Sequence, residues 1–417
     1  MNRLAGGDVG RVLAEFRPGL RIYIQGATGE PLALRQILGA APQALAGVEL
    51  VAGLLPGMND FDYAALHPTA RLTTFLLPGA LRASFEAGRV QVRGAPYSEV
   101  AAWLLDGPPF DLAVLQVSAP DAEGLCSFGP CADFAPLVWP RARRRLAFVN
   151  ANWPRARRGP AMPLAAIDIA IQADGPFVTG EEPPASAEQL AIAAHIAALV
   201  PDGAAIQTGI GGAPAAAVAM LAGRPNLAVR SGMVTGGYRV LAEAGALAPG
   251  ARHVTGVAFG SEAFMRWAAE TFEFADATQT HGAAALAGVE HLHAINSALE
   301  VDLFGQANVE WLGGRRVSGL GGALDFARAA RRSAGGRGIL ALPSTAGGGA
   351  VSRIVARLAS TTVSIPRDET DLIVTEHGVA DPRGAGLDAR ALALIAIAAP
   401  AHRDRLAGEW EAIRRGL

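Results

Sequence analysis

The sequence predicts an α/β protein built as two open, mainly parallel α/β domains. Short apolar runs alternate with helical stretches along the chain, which is typical of βα units around parallel sheets. The chain has 417 residues, of which 51% are hydrophobic and 18% are charged, and its formal net charge is −2. This length and composition allow two large buried cores and are unlike those of a disordered chain.

Strands are predicted where apolar runs lie between turn residues. They are expected at residues 21–25, 48–52, 112–117, 145–150, 166–172, 204–207, 293–296, 338–342 and 372–375. Helices are predicted where apolar residues recur with a helical period between Gly, Pro or Asp boundaries. They are expected at residues 31–40, 98–105, 187–199, 213–222, 237–243 and 388–397.

A domain boundary is predicted at residues 174–187, where Gly175, Pro176, Pro183 and Pro184 interrupt both periods. Ser186 follows, and its hydroxyl is expected to cap the first turn of the next helix. We therefore expect an N-terminal α/β domain over residues 1–185 and a C-terminal α/β domain over residues 186–417.

Composition excludes several function classes. The chain contains no lysine, so its 36 basic residues are all arginine. Schiff-base chemistry, pyridoxal phosphate (PLP) anchoring and a P-loop all need an ε-amine that this chain lacks. The near-neutral net charge also lacks the excess of basic residues that binding to nucleic acid phosphates needs.

The cysteine count and the hydropathy predict a cytoplasmic protein. Cys126 and Cys131 are too few for a disulfide framework and are typical of a reducing compartment. Residues 1–21 carry charges without a long apolar core, so we expect neither a signal peptide nor a membrane anchor. We find no clear run of eighteen uncharged apolar residues that would span a membrane.

Three glycine-rich loops are the first candidate binding elements. Gly209, Gly211 and Gly212 follow a predicted strand and open a helix, with Pro214 suited to the first helical position. The segments 318–326 and 343–349 repeat this pattern. Loops at the carboxyl ends of parallel strands form the default ligand site of open α/β sheets, although a tight turn without a ligand gives the same pattern.

Titratable residues give weaker signals. Glu376 and His377 follow an apolar strand and precede Gly378, which makes Glu376 a candidate active-site acid. His291 and His293 share one strand face, but a metal needs a third ligand that the pattern does not supply, so no metal site is predicted. No Gly-x-Ser-x-Gly segment occurs, which argues against a serine hydrolase.

These segments, in this order, resemble the acetyl-CoA hydrolase/transferase family, which includes 4-hydroxybutyrate and succinyl-CoA:acetate CoA-transferases. The resemblance runs nearly end to end. It is carried by the segments 96–100, 111–129, 148–154, 202–212, 295–306, 319–326, 343–345, 352–354 and 374–384. Together these motifs are far more specific than a single glycine loop.

The resemblance implies the CoA-transferase fold, with coenzyme A bound largely by the C-terminal domain. It implies acyl-CoA and a carboxylate as small-molecule partners, a homodimer, and no metal, NAD or PLP. The expected CoA-binding residues are Gly209, Gly211, Gly212, Asn296, Gly319, Gly321, Gly322, Ser344, Arg353 and Gly378.

The sequence departs from the family at the catalytic position. Family members form a glutamyl-CoA thioester on a glutamate within a Ser-Glu-Met segment, and here that segment contains Ser231, Gly232 and Met233. Glycine has no side chain to attack a thioester. The candidate catalytic residues are therefore Glu376, His281 and Ser231, with His281 a candidate general base.

Three functions stay open. The first is an acyl-CoA enzyme with an altered mechanism, such as hydrolysis, decarboxylation or another acyl-thioester reaction. The second is a standard carboxylate CoA-transferase that uses a displaced glutamate such as Glu262 or Glu376. The third is an inactive acyl-CoA-binding protein. An NAD-dependent dehydrogenase is disfavoured, because the Gly-x-Gly-x-x-Gly spacing with its downstream acid is absent.

Overall fold

The computed structural model describes residues 6–359 and 362–416. Contacts divide the chain into two compact units. Unit 1 comprises the residues up to Glu181, His253–Thr280 and Val317–Gly321, and unit 2 comprises Glu182–Arg252, His281–Arg316 and the residues from Gly322 on. The domain boundary between residues 185 and 186 stays a prediction. The expectation of no N-terminal leader falls partly on residues 1–5, which lie outside the described residues.

The helices and strands alternate along most of the chain. The helices are α1 Gly6–Leu13, α2 Leu32–Ala40, α3 Arg82–Glu86, α4 Tyr97–Asp106, α5 Ala135–Val138, α6 Ala187–Leu199, α7 Gly212–Met220, α8 Gly236–Glu243, α9 Glu262–Thr271, α10 Ala277–His281, α11 Ala283–Leu286, α12 Ala323–Arg332, α13 Leu387–Ala396 and α14 Pro400–Arg414.

The strands are named in the same way. The first nine are β1 Arg21–Ile24, β2 Glu49–Ala52, β3 Arg71–Thr74, β4 Val90–Val92, β5 Leu112–Ser118, β6 Leu125–Ser127, β7 Arg144–Asn150, β8 Ala161–Pro163 and β9 Ile169–Gln172. The next nine are β10 Ala205–Thr208, β11 Ala228–Val234, β12 Val254–Ala258, β13 Glu273–Phe274, β14 Leu292–Ser297, β15 Glu300–Asp302, β16 Ala307–Asn308, β17 Trp311–Leu312 and β18 Arg315–Arg316. The last six are β19 Arg337–Ala341, β20 Thr345–Ala346, β21 Val351–Ser352, β22 Ile354–Val355, β23 Leu372–Thr375 and β24 Gly378–Ala380.

Unit 1 is built around a seven-stranded parallel sheet of order β4-β3-β2-β1-β5-β7-β9. All seven residues of β5 are buried, because β5 is an inner strand covered on both faces. Ile22, Leu50 and Leu72 point to one face and pack with α1 and α2 in a large apolar core. Residues one position earlier in each strand therefore point to the opposite face.

Unit 2 contains strands in the order β11-β10-β14-β19-β23-β24, parallel except for the edge hairpin of β23 and β24. Its core includes Leu292, Ala294, Phe326 and Ala330. The long helix α6 begins as predicted. The Ser186 side chain accepts a hydrogen bond from the Gln189 backbone N–H, and the Gln189 side chain accepts one from the Ser186 backbone N–H, which together form a capping box.

The predicted fold class is confirmed: both units are α/β structures built around mainly parallel strands. Over residues 6–359 and 362–416, no helix is both long enough and apolar enough to cross a membrane.

Candidate functional site

The candidate site of unit 2 lies at the carboxyl edge of its parallel strands. β10, β14, β19 and β23 pair as parallel neighbours, so their carboxyl ends meet at one edge of the sheet. Gly209, Asn296, Ser344 and Glu376 lie at or within three residues of these ends. The topology therefore brings together four segments that the sequence singled out separately, at the place where open α/β sheets bind ligands.

The first glycine loop packs tightly against neighbouring side chains. A Cβ on Gly209 would lie 2.4 Å from Oδ1 of Asn296, and a Cβ on Gly211 would lie 2.3 Å from Oγ of Ser297. Gly211 also has a φ of 144°, which disfavours other residues. A Cβ on Gly212 would lie 2.5 Å from the amide of Gln189. Gly211 is thus favoured by its backbone conformation, and a side chain at Gly209 or Gly212 would have to displace the amide of Asn296 or Gln189, whatever ligand approaches the loop.

Asn296 holds this loop in place. Its amide nitrogen donates to Oε1 of Gln207 at 3.0 Å, and its amide oxygen accepts from Nε2 of Gln207 at 3.2 Å. The hydroxyl of the next residue, Ser297, donates to the Ile210 carbonyl at 3.2 Å. Because its amide is engaged by Gln207, Asn296 acts in this structure as a support for the glycine loop.

Glu376 is clamped by Ser344. The Ser344 backbone N–H donates to Oε2 of Glu376 at 2.8 Å, and the Ser344 hydroxyl donates to Oε1 at 2.5 Å. Nε2 of His377 lies 3.6 Å from Oε1, and the Glu376 side chain is 15% exposed. Two donors from one residue fix the carboxylate orientation, which suits a group that must meet a substrate in one geometry.

Arg353 lies next to this clamp. Its backbone N–H donates to the Ser344 carbonyl at 2.9 Å, and its Nη1 donates to the Leu299 carbonyl at 3.1 Å. Its Nε is buried and has no hydrogen-bond partner among the described residues. A buried guanidinium N–H without a partner is a ready donor for an anionic or carbonyl group.

Gly378 forms the turn that carries Glu376. It pairs with Thr375 in the hairpin of β23 and β24, and its φ is 137°. The Thr375 hydroxyl accepts from the His377 N–H at 3.1 Å, which fixes the turn. Gly378 therefore positions Glu376 through the backbone.

Ser231 lies inside unit 2 with its hydroxyl engaged. Its Oγ donates to the Met233 carbonyl at 2.6 Å and accepts from the Thr208 N–H at 3.3 Å. The neighbouring Tyr238 hydroxyl lies 2.9 Å from Oγ1 of Thr208, and burial raises the pKa of Tyr238 to about 12. These contacts favour a role for Ser231 in tying β10 to β11, and its proposed catalytic role stays a prediction.

His281 fills the space beside Gly232. A Cβ on Gly232 would lie 2.6 Å from both Cε1 and Nε2 of His281. A Cβ on Gly322 would lie 2.5 Å from Cδ2 and Nε2 of the same ring. The ring also packs against Phe326 at 4.9 Å between centroids. The imidazole is therefore accommodated by two glycines, and neither position tolerates a side chain while His281 stays where it is.

Burial controls the protonation of His281. It lowers the pKa of His281 to about 3. The imidazole is thus neutral at ordinary pH, because the low-dielectric surroundings disfavour the charged ring. A base with so low a pKa takes up protons poorly, since proton transfer is most efficient when the pKa is near the working pH.

Two predicted CoA-binding glycines lie in unit 1. A Cβ on Gly319 would lie 2.3 Å from the Phe75 carbonyl oxygen, and the Gly321 carbonyl accepts from the Tyr97 N–H at 3.0 Å. Gly321 also has a positive φ of 58°. Gly319 and Gly321 therefore belong to unit 1, whereas the next residue along the chain, Gly322, belongs to unit 2.

His291 and His293 lie at the start of β14. Nδ1 of His293 lies 2.9 Å from the His291 carbonyl oxygen. Within the described parts of the chain, no three His, Cys, Asp or Glu side chains are grouped to hold a metal ion.

Sequence reasoning missed the contact between His281 and Gly232. The two residues are far apart in the chain, and no spacing rule links them. It also missed Gln207 as the partner of Asn296. A signal for that pair existed, since both amides lie at the ends of adjacent predicted strands.

Comparisons with known proteins identify the family. Residues 11–179 match the model of the acetyl-CoA hydrolase/transferase N-terminal domain, and residues 260–410 match that of the C-terminal domain. The chain is 32% identical over 409 residues to the 4-hydroxybutyrate coenzyme A transferase of Clostridium kluyveri, which covers 94% of each chain.

Solved structures show the same similarity. RipA from Yersinia pestis is 25% identical with a TM-score of 0.90, and the match covers 97% of each chain. The 4-hydroxybutyrate CoA-transferase from Porphyromonas gingivalis is 30% identical with a TM-score of 0.80, covering 98% of this chain and 97% of that one. The resemblance found in the sequence is confirmed, and this chain belongs to the acetyl-CoA hydrolase/transferase family of enzymes.

Proposed function

We propose that this protein acts on acyl-CoA thioesters by a route that forms no glutamyl intermediate at position 232. The observation that carries the proposal is the contact of Gly232 with His281, whose ring lies 2.6 Å from where a side chain at position 232 would begin. The resemblance around Ser231 and Met233 supports the assignment of position 232 as the family's nucleophile position. A covalent step there has no attacking group.

The proposed CoA site lies at the carboxyl edge of the unit 2 strands. The Gly209–Gly212 loop opens α7, and backbone N–H groups at a helix N-terminus favour a phosphate. Ile210 in that loop is 51% exposed and offers an apolar contact to the pantetheine arm. Nε of Arg353 is a buried donor without a partner in the described chain. These features support coenzyme A as the acyl carrier that binds at this site.

Hydrolysis is the simplest reaction that meets these constraints. The water oxygen bonds to the thioester carbonyl carbon, the carbon–sulfur bond breaks, and the water proton passes to the thiolate to give free coenzyme A and a carboxylic acid. We assign the handling of that proton to Glu376, whose orientation is fixed by Ser344. A positioned acid–base group contributes roughly a hundred- to ten-thousand-fold in rate. Decarboxylation or another acyl-level reaction would likewise need no nucleophile at position 232.

His281 has a different part in this proposal. Its low pKa leaves it neutral, so it is a poor general base in the free protein. We assign it to filling the space beside Gly232 that a side chain at position 232 would need. Ser231, whose hydroxyl already donates to the Met233 carbonyl, is assigned to holding β11 in place.

A carboxylate CoA-transferase with a displaced nucleophile is the second candidate. The observation in its favour is that Glu376 reaches the same strand edge with a partly exposed carboxylate. Both 4-hydroxybutyrate CoA-transferases that this chain resembles carry out such transfers by name. In contrast, Glu262 pairs with Arg266 on α9 of unit 1 and is 60% exposed, which gives no support for a nucleophile there.

The test is free-thiol release and intact-protein mass spectrometry with a panel of acyl-CoAs, with and without acetate. We expect thiol release without any mass increase on the protein. Glu376→Gln should lower turnover at least a hundredfold, and the matched control Glu409→Gln, on the exposed helix α14, should not. A CoA-sized adduct on the peptide containing Glu376 would support the transferase instead. Binding of coenzyme A without turnover of any thioester would contradict both.

The homodimer and the cytoplasmic location implied above stay predictions. Analytical ultracentrifugation of the purified protein would test the first.

A further inference from the structure

A cavity of about 690 Å³ lies on the face of the unit 1 sheet opposite its large apolar core. Its floor includes Arg21, Glu49 and Arg71, the first residues of β1, β2 and β3, and Arg89, which precedes β4. The cavity therefore includes the amino ends of these strands and extends along them to Val51, Thr73 and Val92. The candidate site described above lies at carboxyl ends and in unit 2, so this cavity is a separate feature.

The strand register sets the order of charges in the cavity. Arg21 is the register partner of Glu49, and Glu49 is the register partner of Arg71. The Leu72 N–H donates to the Arg89 carbonyl at 3.0 Å, which places Arg71 and Arg89 on neighbouring strands. Like charges on adjacent strands are unfavourable unless an anion lies between them. Three arginines thus face a cavity whose lining contains one acidic residue, Glu49.

Neither Arg71 nor Arg89 is neutralised by the protein. Nη1 of Arg71 donates to the carbonyls of Pro68 and Ala70 at 3.0 and 2.8 Å. Nη2 of Arg89 donates to the Ser84 hydroxyl at 3.1 Å, and its Nε is buried without a partner in the described chain. Among residues 6–359 and 362–416, neither guanidinium forms an ion pair.

The aromatic side chain of Trp103, on α4, lines one side of the cavity. The Arg21 guanidinium lies 5.2 Å from the Trp103 ring centroid and 4.0 Å from the Phe110 ring centroid. Stacking on these rings holds the Arg21 head group in a fixed orientation at the cavity. The cavity volume is in the range of sites for small organic ligands.

We propose that this cavity is a second ligand site, which binds a small phosphate-bearing organic anion between Arg71 and Arg89. A phosphate group presents three acceptor oxygens, which suits two arginines that line one cavity from neighbouring strands. Trp103 lines the same cavity and gives the organic part of the ligand an aromatic neighbour. Binding there would not use the residues of the acyl-CoA site.

The test is isothermal titration calorimetry with pyrophosphate, AMP and succinate as probes, at low and at physiological salt. We expect saturable binding of a phosphate probe, tighter than that of succinate. Arg71→Gln and Arg89→Gln should each weaken it at least tenfold. Arg143→Gln, a 71% exposed arginine paired with Asp111, is the matched charge control and should bind as the wild type does.

A second readout separates this site from the acyl-CoA site. Arg71→Gln and Arg89→Gln should leave the rate of acyl-CoA turnover at the wild-type level while they weaken binding of the phosphate probe, since neither residue belongs to the acyl-CoA site. No saturable binding of either phosphate probe, tighter binding of succinate, equal weakening by Arg143→Gln, or loss of acyl-CoA turnover in Arg71→Gln and Arg89→Gln would overturn the proposal. Thermal melting of each variant confirms that it is folded before the titration.

Discussion

Two pairs of glycines, one pair in each unit, are crowded by different kinds of neighbour. In unit 1, a Cβ on Gly26 would lie 2.2 Å from the Gly53 carbonyl oxygen, and one on Gly319 would lie 2.3 Å from that of Phe75. In unit 2, Gly232 and Gly322 are both crowded by one side chain, the imidazole of His281. A backbone neighbour cannot be replaced by mutation, but a side chain can. Glycine at position 26 is therefore required by the neighbouring backbone, whereas glycine at position 232 is required only while the His281 ring occupies its present place.

The largest effect is expected from Gly26→Ala. The new methyl group overlaps backbone that β1 and β2 fix in place, so we expect a loss of about 3 kcal/mol in the free energy of unfolding. Urea denaturation measures it. The control is Gly39→Ala on α2, where nothing lies within 4 Å of a Cβ, and it should be neutral or stabilising. Equal losses in both variants would show that the Gly53 carbonyl does not set the cost of a side chain at position 26.

A smaller effect, which depends on its partner, is expected from Gly232→Ala. Alone it should cost about 2 kcal/mol, because the methyl group overlaps the His281 ring. In a His281→Ala background the same substitution should cost almost nothing, so the double-mutant cycle should give a coupling free energy of about 2 kcal/mol. Additive effects in the cycle would show that the two residues do not share that space.

His281 should also give the protein a pH-dependent stability. Its pKa is about 3 in the folded protein and about 6.5 in an unfolded chain. Between these values the unfolded chain binds more protons, so the His281 contribution falls as the pH drops from about 6.5 towards 3, by up to about 1.4 kcal/mol per pH unit. His281→Gln should remove this slope when urea midpoints are compared between pH 6 and pH 5. An unchanged slope would show that His281 does not titrate in this way.

Asp133 in unit 1 should act with the opposite sign. Burial raises its pKa from 3.8 to about 7, against a hydrogen bond that its Oδ2 accepts from the Tyr97 hydroxyl at 3.2 Å. Between these values the folded protein binds more protons, so this contribution falls as the pH rises from about 4 to about 7. Asp133→Asn should gain stability relative to the wild type over that range, by up to about 1.4 kcal/mol per pH unit. A variant whose stability tracks the wild type from pH 4 to pH 7 would contradict this assignment.

The sequence predicted much of the architecture because local patterns were sufficient. The strand at Leu372–Thr375 and the helix at Ala187–Leu199 were predicted with their observed bounds, since clear turn and capping residues flank them. The strand at Ala228–Val234 was missed because it contains Ser231 and Gly232 and lacks a continuous apolar run. Neither the alternation of apolar residues nor the capping residues mark such a strand in the sequence.

The candidate site was only partly predictable, for a related reason. Glu376 and Ser344 were each singled out by their position after a strand, and the parallel topology brings them into contact. The contact of His281 with Gly232 and Gly322 joins residues that are far apart in the chain, and a single sequence contains no record of that packing. The arginine cavity was missed for the same reason, since each arginine alone is typical of a strand end.

The central claim is that His281 takes the place of a nucleophile side chain at position 232. The most direct measurement is peptide mass spectrometry of Gly232→Glu and of Gly232→Glu with His281→Ala, each incubated with acyl-CoA. We expect a CoA-sized adduct on the glutamate introduced at position 232 only in the double variant, because only there does the side chain have room. An adduct at that position with His281 intact, or its absence from a folded double variant that still turns over thioester, would contradict the claim.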